Sequence, residues 1–494
     1  VGQPLPADSD RIAQDIEKRY TDDGYTFAHV TAAFDEASGL LSLTIDEGVI
    51  DAVEFEGVGQ RVAREFMDQF ALRAGDVFNR PRAMHALNAM LRQTRGAISP
   101  GPRRGTFNLI ERAGQRVLIV DLREPAGRFK VVPDFGERED WFTPVDGFVP
   151  SLGFGAAVFD HEDFNHAFVA GHLSFKIASG QVGYALGFEK PLFASPKLFL
   201  GGELHDLTAS DDQWQVSSNE ASLASVAVRR NFRDYYRRRG VQINGGVRVE
   251  RHVELLAAYK SERHENLAIQ SDYSLWNSDE LFRPNLFARS GRLSAVVVGA
   301  SIDGEGFDRE SLESSYRRHQ LETPFGARLR DPNDDDDMTR VWRIDWTSEI
   351  STPGALQSDF DFRRHILSGR ARLPLSEHQD VSVRAIGGWS GGVLPPQRQF
   401  ALGGIGSVHG YEFKEAVGDT MSLVNLEYAL GWRNGVQAIG FFDAGRVRAG
   451  SNDAQVLKGV GFGVNVSGFR VDFGYKLDDI PKSLQVLVRF ERTF

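Results

Sequence analysis

The chain has 494 residues, a formal net charge of -11 at pH 7, 51 glycines, 35 phenylalanines and no cysteine. Its length exceeds that of one ordinary domain, roughly 100 to 200 residues, so we expect several domains or one unusually large closed sheet. The acidic balance argues against a nucleic-acid-binding protein, and the missing cysteines exclude disulfides, thiolate nucleophiles and cysteine-ligated metal sites.

The first 48 residues carry a helix pattern followed by two strand patterns. Ile12, Ile16 and Tyr20 share one face at helical spacing. The predicted elements are an amphipathic helix at 8–23 and strands at 26–34 and 40–45. The chain starts at Val1 without a signal-peptide pattern, so we expect a processed or trimmed product.

The same order recurs more completely over residues 49–127. The predicted elements are a strand at 49–55, a helix at 61–70, a second helix from Pro81, and strands at 106–111 and 116–123. Asn79 precedes the second helix and can cap it. A β-α-α-β-β unit is therefore present once in full, at 49–127, and once as its later portion, at 1–48.

From about residue 128 the pattern contains strands only, with more glycine and aromatic residues. About sixteen strand patterns follow, separated by turn or loop signals. The clearest lies at 469–477, where apolar residues occupy one face and Arg, Asp, Gly and Lys the other; the last, at 484–494, alternates likewise. This period of two is typical of strands with one face in lipid and the other in a lumen. The sequence therefore predicts a C-terminal transmembrane antiparallel β-barrel of about 16 strands.

The hydropathy of the chain is compatible with a barrel and excludes membrane-spanning helices. No run of 18 apolar residues occurs, and the longest apolar stretches, such as 295–300, are far too short for such a helix. A large soluble β protein, such as a propeller or sandwich, is the alternative. Against it stand the absence of a blade-like repeat and the long polar stretches 304–339 and 397–419, which are typical of barrel loops.

One segment near the C-terminus carries a family resemblance. Residues 400–411 read FALGGIGSVHGY, and FFDAG follows at 441–445. Here the sequence resembles the outer-membrane superfamily that joins periplasmic POTRA domains to a 16-stranded barrel, including BamA/TamA-type assembly factors and two-partner-secretion transporters. The resemblance implies a partial POTRA-like unit at 1–48, a POTRA-like domain at 49–127, and a barrel at 128–494 with an inward-folded loop near 397–419.

In that family the loop carries Leu-Gly-Gly and then Val-Arg-Gly-Tyr, whose Arg binds the Asp of a Phe-x-Asp-x-Gly strand. The matching residues are Leu402, Gly403, Gly404, Val408, Gly410, Tyr411, Phe441, Asp443 and Gly445. Position 409 departs from the family, because it is His409. The resemblance also marks Phe490 and the final Phe494 as the signal of the C-terminal strand.

The substitution at position 409 has physical consequences. Arginine offers a fixed two-pronged cation, whereas histidine carries at most one charge and titrates near neutral pH. We expect His409 to dock against Asp443 through a weaker and pH-dependent contact, with Glu427 as a second candidate partner. A solvated loop histidine is the alternative.

Other signals indicate no catalytic, metal or cofactor site. Residues 388–392 match G-x-S-x-G, but no helix pattern follows, as a nucleophile elbow requires. Asp334–Asp337 lack the ligand spacing of a calcium loop and are expected to be solvated, and the histidines show no zinc-type spacing. The basic aromatic stretch 235–239 suits an interfacial belt or lipopolysaccharide contact, or equally an exposed turn.

The resemblance implies a non-enzymatic protein of the bacterial outer membrane, with its N-terminal domains in the periplasm. POTRA-like units would bind unfolded outer-membrane or secreted polypeptides by strand addition, and the barrel seam or pore would pass them. Outer-membrane lipid, lipopolysaccharide and accessory periplasmic proteins or lipoproteins are the further expected partners; nucleic acid is not. Two alternatives stay open, a two-partner-type secretion pore and a barrel anchor or transporter for a fused N-terminal enzyme domain preceding Val1.

Overall fold

The computed structural model describes residues 8–490 apart from 93–97, 102–105, 124–127, 134–137, 161–164, 195–196, 250–251, 305–340, 377, 432–435 and 467. The chain divides into two compact units, one of Val1–Arg128 with Val158–His166 and the other of Phe129–Ala157 with Ala167–Phe494. No helix in the described ranges is long and apolar enough to cross a membrane.

The N-terminal unit begins with a helix and a hairpin. These elements are α1 (Ser9–Asp22), β1 (His29–Asp35) and β2 (Leu40–Asp46). The two strands pair antiparallel, and the Asp35 carboxylate accepts a hydrogen bond from the Ala37 backbone N–H in the connecting turn. The elements agree with the predicted helix and strands, although β1 starts three residues later than predicted.

The second part of this unit is a small sheet with two helices. Its elements are β3 (Ala52–Glu56), α2 (Gln60–Gln69), α3 (Arg80–Arg92), β4 (Ser99–Pro100), β5 (Phe107–Arg112) and β6 (Gln115–Arg123). β6 pairs parallel to β3 and antiparallel to β4 and β5. Phe66, Phe70 and Leu118 lie in its apolar core. Asn79 Oδ1 accepts a hydrogen bond from Arg82 N–H at the start of α3, as its predicted capping position requires.

The C-terminal unit contains the predicted barrel, a 16-stranded sheet whose strands follow one another in chain order. Its strands are β7 (Arg128–Pro133), β10 (Ser151–Asp160), β11 (Asn165–Lys176), β12 (Gln181–Ala194), β13 (Lys197–Ala209), β14 (Tyr236–Val249), β15 (Val253–Asn266), β16 (Gly291–Asp303), β17 (Val341–Ser351), β18 (Phe362–Ser376), β19 (Gln379–Gly392), β22 (Thr420–Gly431), β23 (Val436–Arg448), β24 (Gln455–Val466), β25 (Phe469–Lys476) and β26 (Gln485–Arg489). The short strands β8 (Phe142–Thr143) and β9 (Gly147–Phe148) form a separate pair in a loop. β7 and β26 stand at the two ends of the strand order.

Burial in the barrel is inverted relative to a soluble sheet. On β14, Val241 and Ile243 are exposed while Gln242 and Asn244 are buried. On β25, Phe469 is exposed while Arg470 is buried. Apolar side chains therefore face outward and polar ones inward, as a lipid-embedded barrel requires, and the soluble β alternative does not fit.

Two details of this unit differ from the predictions. A helix, α4 (Ser218–Val228), interrupts the region that was predicted to contain strands only. Tyr235 and Tyr236 form neither an interfacial belt nor an exposed turn, because they are 2% and 3% exposed and the Tyr235 hydroxyl donates to Asp140 Oδ2 at 2.8 Å. The predicted acidic loop at 334–337, most of the polar stretch 304–339 and Phe494 lie outside the described residues.

Candidate functional site

The candidate site is the loop between β19 and β22, which folds back onto the inner wall of the barrel. A 3-10 turn at Pro396–Arg398 leads into β20 (Phe400–Leu402), which pairs antiparallel with β21 (Ala416–Gly418). Leu402 and Val408 have no exposed surface and join an apolar cluster that contains wall residues from β22, β23 and β24. Residues 403–415 are here called the loop tip; its part 403–411 is packed against the barrel wall, whereas Glu412 and Glu415 are exposed.

Glycines on the wall make room for the tip. A Cβ atom on Gly445 would lie 2.7 Å from Leu402 Cδ1, and one on Gly474 would lie 2.6 Å from His409 Cβ. A Cβ atom on Gly459 would lie 2.5 Å from the His409 carbonyl oxygen. Gly445 belongs to the sequence motif, whereas Gly459 and Gly474 were missed; their inward positions on neighbouring strands could have indicated them.

The structure brings His409 and Asp443 together. The His409 backbone N–H donates to Asp443 Oδ2 at 3.1 Å, and Nδ1 of its ring lies 2.7 Å from the same oxygen. The ring packs on Phe441 with centroids 4.2 Å apart, and Nε2 lies 3.7 Å from Asp472 Oδ2. With 4% of its surface exposed, His409 is a buried group between two carboxylates and not a solvated loop histidine.

These two carboxylates keep His409 charged at neutral pH. Burial alone would disfavour the imidazolium, but the Asp443 carboxylate, with a contribution from Asp472, outweighs it and raises the pKa of His409 to about 9. His409 therefore supplies a cation at the position where the family carries arginine. The pH at which the contact weakens moves from the neutral to the alkaline range.

Glu427 does not contact His409. It accepts two hydrogen bonds from the Arg470 guanidinium, at 2.8 Å and 3.1 Å, and Arg470 Nε also donates to Asp472 Oδ1 at 2.7 Å. The second carboxylate near His409 is Asp472 instead. Asp472 lies on the predicted lumen face of its strand, but no sequence motif marks it as part of the site.

Two further residues support the tip. Asn425 Nδ2 donates to Asp443 Oδ1 and to the Ser407 carbonyl oxygen, both at 2.6 Å. Arg384 donates from Nε to Asn425 Oδ1 at 2.9 Å and from Nη2 to the Gly406 carbonyl oxygen at 2.7 Å. Neither was identified as a site residue, because the partners of their side chains depend on the strand register.

Gly410 and Tyr411 of the tip contact the last strand, β26. Gly410 N–H donates to Gln485 Oε1 at 3.1 Å, and Gln485 Nε2 donates to the Tyr411 carbonyl oxygen at 2.8 Å. Lys458 N–H donates to the Tyr411 hydroxyl at 3.1 Å. Gly410 has a φ of +86°, and a Cβ atom there would lie 2.3 Å from Lys476 N, so this position requires glycine. Phe490, one residue beyond β26, is exposed and does not belong to this site.

The described residues offer no group of three or more His, Asp or Glu side chains that could hold a metal ion. Ser390, the serine of the G-x-S-x-G match, lies inside β19 and donates to the Asp419 carbonyl oxygen at 2.9 Å. A strand interior lacks the strand-to-helix turn that exposes a nucleophile.

Comparisons with known proteins agree with this architecture. Residues 170–480 match the family model described as the Omp85 superfamily domain. The chain is similar in structure to BamA from Haemophilus ducreyi lacking POTRA domains 1-3, with a TM-score of 0.50 and 13% identity over 99% of this chain and 93% of that chain. CdiB from Acinetobacter baumannii gives a TM-score of 0.41 and 13% identity over 97% of this chain and 80% of that chain. CdiB from Escherichia coli gives 0.42 and 15% over 97% and 82%. At 13% identity the likeness to BamA concerns the fold alone. Curated proteins gave no significant match.

Proposed function

Because the chain belongs to the Omp85 superfamily of outer-membrane β-barrels, we propose that it inserts or translocates unfolded polypeptides at the bacterial outer membrane. The observation that carries the proposal is the loop tip held at the inner wall by the His409–Asp443 contact. A loop packed in this place obstructs passive flow, which argues against a simple porin. In this proposal the protein inserts or translocates its client without forming or breaking covalent bonds.

We propose that the route of the client is the seam between β7 and β26, or the pore itself. The ends of the strand order are the only positions at which a sheet of this kind can accept another strand without breaking existing pairs. The contact between Gly410 and Gln485 links the tip to one side of this seam. Movement of the tip would thus change the support of the last strand.

We propose that residues 1–48 and 49–127 are POTRA-like units that lie in the periplasm and bind extended clients. Within the described residues, β1 and β2 pair only with each other. Leu40, Leu43 and Ile45 on β2 are exposed. An edge with exposed apolar side chains suits strand addition, in which main-chain hydrogen bonds tolerate varied sequences. Accessory periplasmic proteins or lipoproteins would bind the same units, and the outward face of the barrel would contact outer-membrane lipid and lipopolysaccharide.

Reconstitution tests the insertion function. The purified chain in vesicles of outer-membrane lipid should accelerate the folding of a urea-unfolded eight-stranded barrel, followed by heat-modifiable migration in electrophoresis. Vesicles that contain an equal amount of a porin control for disturbance of the lipid. Equal folding rates in the two preparations would refute the insertion function. Passage of an unfolded secreted polypeptide into the vesicles without its insertion would favour the two-partner-type secretion pore.

A further inference from the structure

The end of the last strand is bound by a helix from a distant part of the barrel. α4 lies in the connection between β13 and β14, whereas β26 is the terminal strand. Phe490 N–H donates to Glu220 Oε1 at 2.9 Å, across 270 residues of sequence. A strand edge needs partners for its backbone donors, and here a side-chain carboxylate of α4 provides one.

Further contacts connect the same two elements. Arg489 Nε lies 3.5 Å from Glu220 Oε1, and Arg489 Nη2 donates to the Gln215 carbonyl oxygen at 3.3 Å. Leu487, on the inner face of β26, packs in an apolar cluster with Val216 and Ala221. Glu220 and Arg489 are 3% and 1% exposed, so their interaction is shielded from water.

The two carboxylate oxygens of Glu220 bind different groups. Oε2 accepts hydrogen bonds from Ser217 N–H and Ser217 Oγ, both at 3.1 Å, and Ser217 Oγ in turn accepts from Glu220 N–H at 3.2 Å. This reciprocal pair is the capping box at the start of α4. Oε1 remains for Phe490 and Arg489. The helix end is thus stabilised from one side while the strand end is bound from the other.

We propose that α4 is an internal latch on the terminal strand, with Glu220 holding the end of β26 toward the lumen. While this contact persists, the Phe490 N–H is not available to another strand at the edge of the sheet. Opening of the edge at this level therefore requires displacement of α4 from β26. The inference concerns the protein's own conformation and does not depend on which polypeptide it handles.

Hydrogen exchange measured by mass spectrometry on the full chain in lipid vesicles tests the latch. The readout is deuterium uptake of the C-terminal peptide 484–494. In Glu220→Ala we expect uptake of this peptide at least tenfold faster than in the wild type, since both the acceptor of the Phe490 amide and the carboxylate beside Arg489 are lost. Glu220→Gln keeps an acceptor oxygen but no charge, and its peptide 484–494 should take up deuterium at an intermediate rate. This variant serves as the test if Glu220→Ala does not fold.

Ser217→Ala is the matched control, because it removes the capping box but leaves Glu220 Oε1 in place. This variant should increase exchange at the start of α4 and leave the C-terminal peptide unchanged. Heat-modifiable migration shows that each variant has formed its barrel. Unchanged C-terminal exchange in both Glu220 variants would overturn the latch. Equal acceleration in Ser217→Ala would also overturn it, because the effect would then come from the helix cap.

Discussion

Removal of the Asp443 carboxylate should release the loop tip from the wall. Asp443 accepts hydrogen bonds from His409 N–H at 3.1 Å, from the His409 ring at 2.7 Å and from Asn425 Nδ2 at 2.6 Å. Breaking a buried ion pair costs about 3 to 5 kcal/mol, because the remaining charge stays buried without a partner. We therefore expect Asp443→Ala to raise the undocked population of the tip by roughly a hundredfold or more, since each 1.4 kcal/mol is a factor of about ten.

Hydrogen exchange and limited proteolysis of residues 403–415 measure this population. Asp345→Ala is the matched control, since Asp345 is also a buried carboxylate of the inner wall but binds Arg343 and Ser301 instead of the tip. The control variant should leave tip protection unchanged. The assigned role of the His409–Asp443 contact would be refuted if the tip stayed as protected in Asp443→Ala as in the wild type. It would also be refuted if Asp345→Ala exposed the tip to the same extent.

The same assay has a defined pH dependence. The pKa of His409 is raised in the folded state to about 9, so the stabilisation by its charge is complete below its ordinary pKa of about 6.5 and disappears as the pH rises through about 9. Wild-type tip protection should therefore be greatest below about pH 6.5, fall progressively as the pH rises, and level off above about pH 9, the alkaline end of the transition. In Asp443→Asn this alkaline transition should move toward neutral pH. A wild-type tip that stays equally protected throughout would contradict a charged His409.

Three further substitutions test other parts of the structure. Gly445→Val should expel the tip, because even a Cβ atom there would lie 2.7 Å from Leu402 Cδ1 of the loop. Gly440→Val should leave the tip in place, since a Cβ atom there has nothing within 4 Å. Protease sensitivity of the tip distinguishes the two variants. Arg470→Ala should destabilise the barrel by about 3 to 5 kcal/mol in urea unfolding, because it leaves the buried Glu427 carboxylate without its cation and removes one of the two cations beside Asp472. The exposed Arg446→Ala should change little. Asn79→Ala should lower the stability of α3 by about 1 kcal/mol, seen as faster exchange at its first turn, and equal exchange would show that the cap is not needed.

The strands and the loop motif were predictable from sequence because both depend on local pattern. Period-two alternation marks strands such as β25, and the glycines and hydrophobic residues of 402–411 mark the loop. α4 was missed because its apolar residues do not form one stripe, so no helical periodicity distinguishes it. β15 is harder to recognise, because its buried face carries Glu254, Lys260, Glu262 and His264 and its sequence therefore resembles a polar segment.

The sequence does not predict which residue each inward side chain contacts, because that partner depends on the strand register. In the sheet Asn425 lies directly opposite Asp443, which puts both beneath the tip. Glu427 lies two residues further along the strand, where Arg470 meets it. A shift of the register by two residues would exchange these roles without changing the sequence pattern.

The inverted burial of the barrel determines when this chain can fold. A finished barrel in water would present a belt of apolar side chains, such as Ile243, Phe462 and Leu426, over its whole circumference. Such a surface associates with itself unless lipid covers it. We therefore expect the barrel to fold as it enters the membrane, so that the chain reaches the membrane unfolded. Before it folds, the protein is thus itself an unfolded barrel polypeptide, the kind of molecule it is proposed to handle.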